Sequence, residues 1–123
     1  MGRWMVAVTV VLASVACQAP WTSTGCSNVA IDWVDFIQVG SVQYVAGLDA
    51  APTVTSADLG PVVAHVKFKV DGNVCDPSYH PKDGDAAFLE PGTPIYQVTG
   101  HPMSNVLAAE RDGQIVVYQS RPA

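Results

Sequence analysis

Basic side chains, long hydrophobic runs and metal-type cysteine or histidine pairs are all scarce here, and each scarcity excludes something. Six Lys and Arg stand against eleven Asp and Glu, a net charge of −5. That balance excludes the basic footprint that nucleic-acid phosphates require. It also argues against a surface held on anionic lipid by charge alone. The longest apolar run, Trp4 to Ala16, is interrupted only by Thr9 and Ser14. A bilayer-crossing helix needs roughly 20 such residues, so this run is too short to span. No Cys-x-x-Cys and no pair of histidines at i, i+4 occurs among three cysteines and three histidines, which leaves no metal-ligand spacing. No Gly-x-Ser-x-Gly elbow is present for a serine nucleophile, and no cofactor motif is recognised.

What is present begins at the N-terminus. Arg3 followed by the short apolar run matches the n- and h-regions of a secretory signal peptide, which places residues 1–16 outside the folded part as a helical signal segment. Small residues at Ser14 and Ala16 suit ordinary signal cleavage and a secreted product. Ser14-Val15-Ala16-Cys17 also resembles the lipobox of bacterial lipoproteins, although Ser14 stands where Leu is favoured. On that reading Cys17 is diacylated and becomes the mature N-terminus. The bland reading makes Cys17 one more small residue of the h-region.

Cysteine arithmetic favours the lipid. An odd cysteine count in an exported chain raises the question of an unpaired thiol. With Cys17 lipidated, Cys26 and Cys75 are an even pair in an oxidising compartment. Their disulfide would close a loop of about fifty residues, worth around 4 kcal/mol by the chain-entropy account. The alternative is two reduced, buried thiols. Residues 17–29 are small and polar and read as a lipid-anchored tether, leaving residues 30–123 as one domain.

That domain reads as strands and turns. In "PVVAHVKFKV", Val62, Ala64, Val66, Phe68 and Val70 alternate with Val63, His65, Lys67 and Lys69, the pattern of a half-buried strand with one wet face. Asp112-Gly113 between two β-prone runs predicts a two-residue hairpin. Pro91-Gly92 predicts a type II turn. Strands are expected over Ala86–Leu89, Pro94–Thr99, Val106–Glu110 and Gln114–Gln119, with a further hairpin across Gly40 and a helical turn near Ser56–Leu59. The fold class that follows is mainly β, a compact antiparallel sheet curled into a small sandwich or barrel.

Few residue groups suggest chemistry. His65, His80 and His101 are scattered, and surface histidine is the plain reading. Asp83, Asp85 and Glu90 outline an acidic site, but a calcium loop would need an acidic or amide residue where Ala87 stands. Asp32 and Asp35 read as unrelated surface carboxylates. Tyr44, Tyr79, Tyr96 and Tyr118 are candidates for stacking on sugars or peptides, against ordinary packing within the sheet.

"DGDAAFLEPGTPIYQVTG" and "LAAERDGQIVVYQ" resemble a family of small uncharacterised lipoproteins of actinobacteria and other Gram-positive bacteria. The likeness rests on Gly84–Leu89, Gly92–Gly100 and Leu107–Tyr118. It implies an envelope address and a probable fold, and carries over no catalytic or binding residues. The functional expectation is a membrane-anchored extracytoplasmic lipoprotein, a non-catalytic module for an envelope protein or glycan. The alternative is a small envelope hydrolase or transferase using Asp83, Asp85 and Glu90.

Overall fold

Alternating β-branched and aromatic residues between glycine-rich turns do form strands. The computed structural model describes residues 31–121. The expected signal segment 1–16, the tether 17–29, Cys17 and Cys26 fall outside the described residues. The strands are β1 (Phe36–Val39), β2 (Val42–Ala46), β3 (Leu59–His65), β4 (Phe68–Lys69), β5 (Asp85–Ala86), β6 (Pro94–Val98), β7 (Val106–Arg111) and β8 (Gln114–Ser120). One 3-10 turn, Ser56–Asp58, precedes β3, as the sequence predicts. The strands lie in the order β3-β6-β7-β8-β2-β1-β5-β4, a curled mixed sheet forming a half-barrel.

The sheet is not wholly antiparallel. β4 pairs with β5 in parallel, whereas the other strand pairs are antiparallel. A parallel pair needs a long crossover, and residues 70–84 supply it. The expected strand at Ala86–Leu89 is correspondingly cut to Asp85–Ala86.

β3 and β4 lie at opposite ends of the strand order, yet only Val66 and Lys67 separate them in the chain. This dipeptide stitches the two ends together. The Val66 N–H donates to the Thr93 carbonyl (2.9 Å), and the Val66 carbonyl accepts from the Gly92 N–H (2.7 Å), on the β6 side. The Lys67 N–H donates to the Gly84 carbonyl (2.8 Å), on the β5 side. Gly84 has to be glycine here. Its φ is +90°, and a Cβ would stand 2.5 to 2.8 Å from three carbons of the Lys67 side chain.

The stitch also breaks the expected alternation. Register shifts on either side of Val62 interrupt β3, so Val63 and Ala64 both pack on the core while Val62 is 44 % exposed. Beyond the stitch, Phe68, expected on the buried face, is 37 % exposed. A continuous strand would have kept the period of two; bulges re-aim side chains.

The curled sheet is buried on both faces. Ile37, Tyr44, Leu107, Ala109 and Tyr118 point inward with Val66, Leu89 and Ile95. Their strand neighbours Phe36 and Val45 face a second cluster with Val70 and Ala87, while Val106 and Ala108 face a third with Val98. Successive side chains take opposite faces of a strand, which is why β7 runs buried through Val106, Leu107, Ala108 and Ala109.

The β7–β8 hairpin closes through Asp112 (φ 51°) and Gly113 (φ 77°), with Arg111 opposite Gln114. Positive φ at both central positions is the type I′ arrangement. Open space surrounds a Cβ built on Gly113, so a substitution there costs backbone strain without a clash. Gly113→Val is expected to destabilise by about 1–3 kcal/mol in thermal melts of the full chain. An unchanged midpoint would contradict the tight turn.

Candidate functional site

The three carboxylates of the acidic-site reading are each held by different partners. Asp83 sits at the junction of three segments. Its Oδ1 accepts the Gly40 N–H of the β1–β2 turn (2.7 Å), and its Oδ2 pairs with Lys67 Nζ of the stitch (3.1 Å). The Gly40 N–H and the Lys67 ammonium hold the Asp83 carboxyl below its ordinary range. Such a group is ionised at neutral pH and has no proton to give as a general acid. Asp85 is buried and accepts from the Tyr79 hydroxyl (2.6 Å) and the Lys82 N–H (2.8 Å). Burial and the Asp85 carboxylate push the Tyr79 phenol up to about 12. Glu90 pairs with Lys69 Nζ at 2.6 Å. Asp83 and Asp85 share one cleft, and Glu90 lines its neighbours.

Asp35 departs from the surface-carboxylate expectation. It lies just before β1, where Oδ1 accepts the Tyr118 hydroxyl (3.0 Å) and Oδ2 binds Arg111 Nη1 (3.1 Å). The Arg111 guanidinium in turn rests 4.8 Å over the Phe88 ring. Burial, then the Asp35 charge, holds the Tyr118 phenol far above its ordinary value. Asp32 remains exposed.

The other candidates disperse. His65 lies at the end of β3 beside Pro94, His80 in the loop before β5, and His101 beyond the far end of β6. Among the described residues no group of three or more His, Cys, Asp or Glu is placed to hold a metal ion. Tyr44 is buried with its hydroxyl donating to the Met103 carbonyl (2.8 Å), and Tyr118 is fully buried. Tyr79 is half-buried, with Lys82 Nζ 5.7 Å above its ring. Tyr96 is half-buried opposite Val62 and Ala108. These four tyrosines pack within and around the sheet.

What the sequence missed is the setting of β4. Three clefts, of about 340, 470 and 320 Å³, adjoin that two-residue strand. The first two share Phe68; the second and third share Lys69, Asp71 and Glu90. They follow one another along the sheet's end as a broken trough, the first two meeting at the Phe68 ring. The alternation hid this by assigning Phe68 to the core; the bend at Val66–Lys67 brings it out.

The Asp83 junction has a pH signature. Its carboxyl is depressed in the folded state, so its stabilising effect is complete above the unfolded value of about 3.9 and fades as pH falls through the folded value. Asp83→Asn should therefore lower the thermal midpoint at neutral pH, with the gap to wild type closing as pH drops below about 4. A gap independent of pH would contradict the ionic role.

Comparison with family models, with curated proteins and with solved structures finds no match to this chain, so its fold and its clefts stand on their own geometry.

Proposed function

We propose that this chain is an extracytoplasmic lipoprotein, anchored through diacylated Cys17, whose β domain serves as a binding module at the cell envelope. The signal-like run 1–16 and the cysteine arithmetic support the address. The observation that carries the binding role over the hydrolytic one is the engagement of Asp83, Asp85 and Glu90, each tied to its own structural partners. A pair of carboxylates working as acid and base on one bond needs convergence on a shared substrate position and different protonation states.

Packing also supports the Cys26–Cys75 bridge. Trp33 and Val74 pack against one cluster, Phe36, Val45, Val70 and Ala87. The start of the described chain and the loop carrying Cys75 thus share a patch, leaving only Ser27 to Asp32 between Cys26 and Trp33. A bridge there fixes the tether to the domain and sets its orientation on the membrane.

Radiolabelled palmitate should enter the wild type and not Cys17→Ser, and the labelled protein mapped without reduction should yield a linked Cys26–Cys75 peptide pair. Equal labelling, or none in either protein, contradicts the anchor; two free thiols contradict the bridge.

A further inference from the structure

The trough along β4 differs from its surroundings in the state of its aromatic rings. Three rings line the three clefts: Phe68, Tyr79 and Phe88. Tyr79 carries the Lys82 ammonium over its face, and Phe88 carries the Arg111 guanidinium. Phe68 has neither, and projects from the end strand where two clefts meet. A partly exposed ring at the meeting of two clefts offers a flat apolar face, which matches the C–H face of a sugar.

The surrounding polar groups fit the same ligand. Lys69 is neutralised by Glu90, and Lys67 by Asp83. These pairs retain donor and acceptor sites, which suits hydroxyls that must be hydrogen-bonded from several sides. Asn73 stands in the middle cleft with its Nδ2 on the Lys69 carbonyl (2.9 Å), holding its amide at the trough wall. Farther along, Asp71, Glu110 and Asp112 line the last cleft against Arg111, which is already engaged by Asp35. The excess of carboxylate there repels a polyanion. A row of three open clefts favours a short stretch of polymer over a compact small molecule.

We propose that the trough along β4 binds a neutral saccharide chain, with Phe68 as the stacking platform and the Lys69–Glu90 pair and Asn73 as hydrogen-bonding groups. The inference rests on the envelope-module reading and names the class of ligand for it.

The test uses the full lipoprotein in a zwitterionic detergent, titrated with a neutral N-acetylglucosamine tetramer, a neutral glucose tetramer, polygalacturonate and tetralysine. Saturable binding of at least one neutral tetramer is expected. Phe68→Ala should weaken it about tenfold in protein that remains folded. Phe68→Trp should retain it, and decides the question if the alanine variant does not fold. Binding of neither tetramer, binding indifferent to Phe68→Ala, loss of binding in folded Phe68→Trp, or preference for the polyanion or tetralysine each overturns the proposal. Palmitate-labelled protein that binds no saccharide refutes the trough and spares the anchor; saccharide binding by unlabelled protein does the reverse.

Discussion

Two peptide units, Val66 and Lys67, hold the ends of this sheet together. An open curled sheet leaves two rows of unpaired backbone groups, which are liable to pair with other chains. Here the strand that finishes one end passes directly into the strand that begins the other, bonding Thr93 and Gly92 with its first residue and Gly84 with its second. The inner core depends on that passage, since Val66 is itself buried among Leu89, Ile95 and their neighbours. The passage depends in turn on Gly84, the position where the Lys67 stem lies against bare backbone.

The same constraint shapes the surface. Turning from β6 toward β5 within two residues forfeits the strand period, so Phe68 and Lys69 emerge at the end of the sheet instead of continuing the core face. The parallel β4–β5 pair then requires residues 70–84 to return in the same direction, and this loop walls the trough. Lys67–Asp83 and Lys69–Glu90 lie along the stitched segment. As exposed ion pairs they add little to stability. Their role is chiefly to fix side chains around the clefts, with Asp83 also tying the β1–β2 turn to the loop through Gly40.

Local signals in the sequence predict the structure where local chemistry decides it. Asp112-Gly113 and Pro91-Gly92 demand particular φ values, and both turns form as read; Gly92 takes φ 91° with the Thr93 N–H on the Glu90 carbonyl. The capped turn before β3 is likewise local, since the Asp58 carboxylate accepts from the Thr55 N–H (2.9 Å). What stayed hidden is non-local. Nothing in "PVVAHVKFKV" says that its halves belong to opposite ends of a sheet, so a clean alternation misassigned Val62 and Phe68. Asp35 looked solvated because Arg111 and Tyr118, its partners, lie some eighty residues away. The continuous burial of β7 depends on an outer cluster that Val98 of β6, Leu59 of β3 and Val54 before it complete with β8.

Backbone amide exchange, followed residue by residue on the full chain, tests the stitch most directly. The account predicts that the Val66 and Lys67 amides exchange as slowly as those of the β7–β8 ladder, because opening either one separates the ends of the sheet. Exchange of both at the rate of an open loop, with the ladder still protected, would mean that the half-barrel is not held at this point and that the trough along β4 has no fixed wall.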